Sequence, residues 1–280
     1  MIYKTDEGRA FVLRHYRAVL DAWPVQSRET SISTRQGETF ILTSGPDKGP
    51  PLILLHGSAT NSASWVGDIG TWSQHFRVHA IDLIGEPGLS APSRPPLGSG
   101  AYQEWLDDVL DGLGLQQAAV IGLSLGGWVA MDYAIRRPDR VGKLVLISPG
   151  GIGRNRNILL WALPLLLLGA WGRRKMQARI GGKALLDPAF ATSPLGVMSD
   201  TIFAHFNPRT ERLPTPSDAE LQALPMPVMA LLGGKDVFID AAETRMRLER
   251  NVRNLTMRYL PEGLHFMPEQ TAAVDAFLLA

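Results

Sequence analysis

The chain has 280 residues, 45% of them hydrophobic, enough to bury the core of one large domain or of a domain carrying an insertion. The formal net charge is +1, so no long-range field favours nucleic acid, an anionic membrane or acidic substrates. Cysteine is absent, which excludes disulfides, thiolate metal sites and a cysteine nucleophile.

Residues 6–23 place Phe11, Val12, Tyr16, Val19, Leu20 and Trp23 at helical spacing, and Pro24 ends the pattern. Asp6, Glu7, Arg9, Arg14 and Arg17 interrupt any apolar stretch here, so the segment does not read as a secretory signal and cytoplasmic residence is the expectation. Residues 29–42 hold two runs of period two separated by Gln36-Gly37, the pattern of a hairpin. After a loop rich in glycine and proline come short apolar runs at 52–55, 78–83, 118–121, 144–147, 228–232 and, more weakly, 256–260. Continuous apolarity of this length fits strands buried on both faces. Helical stretches at 101–113, 126–137 and 241–250 lie between several of them, and this alternation predicts a parallel sheet with helices on both faces. Ligands of such sheets bind beyond the carboxyl ends of the strands, so the chemistry is to be sought just after each run.

The alternation fails between 151 and 224, which reads as a mainly helical insertion over the strand ends. Its segment 158–171, ILLWALPLLLLGAW, is strongly apolar. At about 14 residues it is shorter than the roughly 20 that a membrane span requires. Arg154, Arg156, Arg173, Arg174 and Lys175 bound it and Pro164 would kink it, so a buried or interfacial helix is expected and no membrane span. Leu160, Trp161, Leu165, Leu168 and Trp171 either line an apolar substrate pocket, with Trp161 and Leu165 as the candidate substrate-binding residues, or pack the insertion onto the core.

The third run is followed by Gly122-Leu123-Ser124-Leu125-Gly126, a Gly-x-Ser-x-Gly motif between a strand and a helix. A sharp turn there would raise the Ser124 hydroxyl at a helix N-terminus, where free N–H groups favour developing negative charge. The fifth run leads to Gly233-Gly234-Lys235-Asp236 and the sixth to Gly263-Leu264-His265. A serine hydroxyl needs a base to take its proton, a role for His265, and the base needs a carboxylate to orient it, a role for Asp236. Asp240, on the same loop, is the competing carboxylate. The first run ends in His56-Gly57-Ser58-Ala59-Thr60. The backbone N–H groups of Ser58 and Leu125 are the candidate donors to an oxyanion. His56 is read as a local hydrogen-bonding residue that shapes the loop. In the loop 82–90, Asp82 is expected to make Asx-type hydrogen bonds; Glu86 could line the pocket, but a solvated turn residue is the expectation.

Together these residues resemble the α/β-hydrolase superfamily, through His56-Gly57, Asp82…Gly85…Gly88…Ser90, Gly122-x-Ser124-x-Gly126, Gly233…Asp236 and Gly263…His265. The helix ending in Trp23-Pro24 and the phrases His56-Gly57-Ser58 and Asp82…Gly85-Glu86 are similar to bacterial carboxylesterase-like members. The resemblance implies an α/β-hydrolase fold with a mostly parallel eight-stranded sheet and a helical cap after the sixth core strand. The core would be 1–151 and 225–280 and the cap 152–224. It also implies cleavage of a small apolar ester through an acyl-enzyme intermediate, with no metal and no organic cofactor. Serine as nucleophile sets the chain apart from the aspartate-nucleophile branches, and neither His-Gly-Gly-Gly nor His-Gly-Gly-Pro-Gly follows the first strand. Leu264 stands where many members have glycine. Two alternatives stay open: a hydrolase of carbon–carbon bonds using the same side chains, and a non-catalytic ligand-binding member of the fold.

Overall fold

The computed structural model describes residues 1–156, 165, 167–267 and 269–280. Eight strands form one sheet in the order β1-β2-β4-β3-β5-β6-β7-β8. They are β1 (Ser27–Thr34), β2 (Gly37–Ser44), β3 (Pro51–Leu55), β4 (Arg77–Ile81), β5 (Ala118–Leu123), β6 (Val141–Ile147), β7 (Val228–Gly233) and β8 (Leu255–Leu260). The β1–β2 and β2–β4 pairings are antiparallel, and all pairings from β4 to β8 are parallel. The fold expected from the alternation is therefore present, and the hairpin turns at Arg35-Gln36 with Gly37 at φ 101°.

The parallel strands are apolar throughout because both faces of the sheet are covered. Leu52 and Leu54 of β3 join Val78, Ala80, Val145 and Leu231 in one cluster, whereas Ile53 and Leu55 join Val120, Leu144, Leu146 and Ala230 in the other. The first face is covered by the helix Asp6–Asp21, through Val12, Tyr16 and Val19, and by the helix Thr271–Leu279, through Val274 and Leu278. The second is covered by the helices Ala101–Gly112, Leu125–Arg136 and Ala241–Asn251. The Thr271–Leu279 helix lies outside the sequence expectations. Nine residues with one buried i, i+4 pair carry too little periodicity to stand out.

Chain order and sheet order diverge between β3 and β5. From β3 the chain moves to β4 on one side, then returns past β3 to β5 on the other. Such a switch point opens a crevice at the carboxyl ends of the two strands. The loop after β3 and the turn after β5 meet there, with Leu55 paired to Gly122 at the last rung.

The chain between β6 and β7 includes the helices Gly169–Gly181, Pro188–Thr192, Pro194–His205 and Asp218–Gln222. The apolar segment fares differently from the expectation. Trp161, with the rest of 157–164 and 166, lies outside the described residues, and Leu165 is half-buried. Leu168 and Trp171 are 55% and 58% exposed, so they neither pack onto the core nor line an enclosed pocket, and Lys175 lies over the Trp171 ring. The helix found here starts at Gly169 and runs through the basic cluster. Among the described residues no helix is long and apolar enough to cross a membrane.

The Pro194–His205 helix docks on the N-terminal helix. Lys4 N–H donates to His205 O (2.9 Å) and Asn207 N–H to Ile2 O (2.8 Å), while Met198, Ile202 and Phe206 share the Tyr16 cluster. Tyr16 also reaches the sheet edge, where its hydroxyl donates to Asp82 Oδ1 at 2.8 Å. Asp82 accepts further hydrogen bonds from Ser62 N–H (2.9 Å), Ser62 Oγ (2.7 Å) and Leu89 N–H (2.8 Å). The expected local turn bond is only one of these four, and the others tie together segments distant in the chain. Asp82→Ala would leave these buried donors without an acceptor. We expect it to lower unfolding stability by about 3 kcal/mol or more, read as a drop in the urea midpoint.

Candidate active site

β5 ends at Leu123 and the chain reverses through Ser124 at φ 53°, ψ −108°, a conformation that side-chain-bearing residues rarely adopt. Ser124 N–H is fixed by Ile147 O (2.9 Å), and its carbonyl accepts from Trp128 N–H (3.0 Å) and Gly150 N–H (3.3 Å). The two motif glycines are steric requirements. A β-carbon at Gly122 would collide with the carbonyl of Gly126, and one at Gly126 with the carbonyl oxygens of Leu55 and His56. The helix that follows has no side-chain cap, and the Leu125 N–H, next to Ser124, makes no hydrogen bond within the described residues.

The loop after β7 brings Asp236 to His265. Asp236 is fully buried; its Oδ1 accepts from Phe238 N–H (2.7 Å) and Ile239 N–H (3.2 Å), and its Oδ2 lies 2.7 Å from His265 Nδ1. Two backbone donors hold one oxygen and so aim the other at the imidazole. Asp240, the competing carboxylate, instead caps the Ala241–Asn251 helix by accepting from Glu243 N–H and faces Arg154 at 3.7 Å. The imidazole is held further by the edge of Phe238, ring centroids 4.5 Å apart. Its backbone is anchored by Ser148, whose hydroxyl donates to His265 O at 2.8 Å. Ser148 was not singled out in the sequence. It is buried just after β6 at φ 43°, and only its position at a strand end could have marked it. His265 Nε2 and Ser124 Oγ make no hydrogen bond with each other or with other described residues.

Gly57 stands against Ser124: a β-carbon there would touch the Ser124 β-carbon at 3.5 Å. The Gly57 carbonyl accepts from Thr60 Oγ1 at 2.9 Å and lies 2.8 Å from His56 Nδ1. His56 is fully buried, and its Nε2 accepts from Leu83 N–H at 2.9 Å, so the ring is neutral with its proton on Nδ1. Burial pushes its pKa down and keeps it so. His56 thus shapes the loop, as its neighbours in the sequence suggested. Across a trans peptide the N–H points opposite to the preceding carbonyl, so anchoring Gly57 O aims the Ser58 N–H away from His56. That N–H too is free of partners among the described residues.

Glu86 departs from its expected role as a solvated turn residue. It is 1% exposed, because Gly85 at φ 73° folds the turn inward. Its Oε2 accepts from Ala59 N–H at 2.6 Å and lies 3.4 Å from Ser58 Oγ. Burial raises its pKa to about 7, a rise partly opposed by the Ala59 hydrogen bond and by Arg94 and Arg209. Because folding raises this pKa above its ordinary value of 4.5, the fold favours the protonated form, and stability is lost as pH rises through about 7.

The chain belongs to the α/β-hydrolase family: residues 50–179 match the sequence model of the α/β hydrolase fold. Carboxylesterases are among its relatives. It is 31% identical over 255 residues to the uncharacterized carboxylesterase nap of Bacillus subtilis (strain 168), covering 90% of this chain and 85% of that protein. With carboxylesterase YbfK of the same organism it shares 44% over 140 residues, 49% of this chain and 47% of that one. The crystal structure of naproxen esterase from Bacillus subtilis superposes with a TM-score of 0.83 at 28% identity, over 99% of this chain and 98% of that one. The chain is thus a carboxylesterase-like member of the family, a hydrolase of ester bonds.

Two outcomes are expected. Gly126→Ala should abolish the close approach of the two backbones, with a fall in soluble yield or in melting temperature and loss of esterase activity. Glu86→Gln, which removes the buried ionisation, should stabilise the protein more at pH 8 than at pH 5. The difference is on the order of 3 kcal/mol at most, measured by denaturation at the two pH values.

Proposed function

We propose that this chain hydrolyses small apolar carboxylic esters through an acyl-enzyme on Ser124. The observation that carries the reading is the Asp236–His265 pair: a buried carboxylate 2.7 Å from the imidazole, at the same sheet edge as a serine held in a strained turn. His265 takes the Ser124 proton on Nε2 as Oγ attacks the ester carbonyl, and returns it to the departing alcohol. It then takes a proton from water, which attacks the acyl-enzyme, and gives it to Ser124 Oγ as the acid leaves. Asp236 keeps the Nδ1 proton in place and stabilises the imidazolium. The unpaired N–H groups of Ser58 and Leu125 receive the oxyanion. His265 Nε2 has no partner among the described residues, so it can meet the hydroxyl when substrate closes the gap, as hydrogen bonds in unliganded sites often tighten on binding. A small apolar substrate is supported by the apolar neighbours of these groups: Phe238, whose ring meets the His265 imidazole, and Leu123, whose side chain lies beside Gly57. The segment between β6 and β7 acts as a cap over the site, with Leu165 and Trp161 as proposed substrate contacts.

The test is turnover of p-nitrophenyl esters of graded acyl length together with labelling by a fluorophosphonate. Ser124→Ala should lower kcat by about 10⁴-fold or more and abolish labelling, and Asp236→Asn should lower kcat by about 10⁴-fold. An active, labelled Ser124→Ala protein would sink the proposal.

A further inference from the structure

The loop that carries the Ser58 N–H includes a second unusual residue. Ala59 sits at φ 56°, a left-handed conformation that an alanine keeps only where its surroundings hold it. Glu86 supplies the hold. Its Oε2 is 2.6 Å from Ala59 N, and the same oxygen lies 3.4 Å from the Ser58 hydroxyl. The peptide between Ser58 and Ala59 is planar, so fixing the Ala59 N–H fixes the backbone on the far side of Ser58. Thr60 and His56 fix the near side through Gly57 O. Ser58 is thereby clamped from both sides, and its own N–H has no partner among the described residues.

We propose that Glu86 is a positioning residue for the oxyanion site: through Ala59 N–H and Ser58 Oγ, its carboxylate locks the turn that aims the Ser58 N–H at the substrate carbonyl oxygen. This rests on the reading of Ser58 as an oxyanion donor. The carboxylate itself is held in a built surrounding. Gly85 O, beside it, accepts from Arg94 Nε (2.9 Å), and Gly88 N–H donates to Glu86 O (2.8 Å). The charged and titratable groups facing it are Arg94 on its own loop, Arg209 from the segment between β6 and β7, Tyr102 from the Ala101–Gly112 helix and Tyr3 from the N-terminal segment. Arg209 is itself engaged, donating to Tyr102 Oη (2.9 Å) and to Pro95 O (3.2 Å) and pairing with Glu211, so the two arginines act on Glu86 through space rather than by direct hydrogen bonds.

An ionised carboxylate accepts a much stronger hydrogen bond from an N–H than a protonated or amide group does. With burial holding the Glu86 pKa at about 7, the clamp strengthens as pH rises through neutrality. The activity profile then contains the ionisation of Glu86.

The decisive variant is Glu86→Gln, which keeps shape and removes charge. At pH 8 its kcat on p-nitrophenyl butyrate should fall about tenfold, less than the roughly 10²–10³ attributed to loss of a whole oxyanion donor, with KM little changed. Its kcat profile between pH 5 and 9 should lose the ionisation of Glu86 that the wild type shows. Arg94→Gln gives a second measurement that leaves Glu86 in place. It should move one limb of the profile to higher pH, and should have no such effect in the Glu86→Gln background. Wild-type kcat and a wild-type pH profile in folded Glu86→Gln would overturn the role of Glu86. If that variant does not fold, an Arg94→Gln profile identical to wild type would overturn it instead. Failure of the underlying reading looks different: wild-type protein would not be labelled by fluorophosphonate or would keep its activity on Ser124→Ala substitution.

Discussion

The site exists because two backbones come closer than side chains allow. At Gly126 the start of a helix passes the carbonyls of Leu55 and His56, and at Gly122 the end of β5 passes the same helix. Only hydrogen fits at either position. This contact lets Ser124 occupy its left-handed turn, and it sets the loop after β3 against the serine, with Gly57 as neighbour.

Around that contact the protein buries three ionisable side chains in three different ways. Asp82 gathers donors from four groups of the chain, so its burial is compensated by hydrogen bonds. His56 is neutral and spends both ring nitrogens on the backbone. Glu86 has fewer donors for its charge, and its raised pKa records the deficit. A group buried at a cost to stability beside strained backbone is what an active site that needs a fixed geometry can be expected to retain.

The likeness to bacterial carboxylesterases runs through the whole chain rather than through the motifs alone. The naproxen esterase structure superposes over 99% of it. The N-terminal helix and the Pro194–His205 helix are part of this architecture. They share one apolar cluster with the sheet, and their ends are joined by the bonds of Lys4 and Asn207. The segment between β6 and β7 is thereby attached to the same face of the sheet as the N-terminal helix.

The order of strands and helices, the nucleophile turn and the places to look for acid and base were legible in the sequence. Each is written locally: apolar runs report strands buried on both faces, and Gly-x-Ser-x-Gly reports a turn with no room for side chains. Asp236 could be named but not separated from Asp240, because the choice depends on which carboxylate the folded loop turns inward. Two N–H bonds to Asp236 and the capping bond of Asp240 decide it. Glu86 was misread for the same reason. Turn composition predicts exposure, whereas in the fold Gly85 turns the residue inward, against Ala59 N–H from the loop after β3. Ser148 left no local trace, since its partner is a carbonyl 117 residues away. Local chemistry fixes what a segment can do, and long-range packing selects which of its polar groups lose water and must find each other.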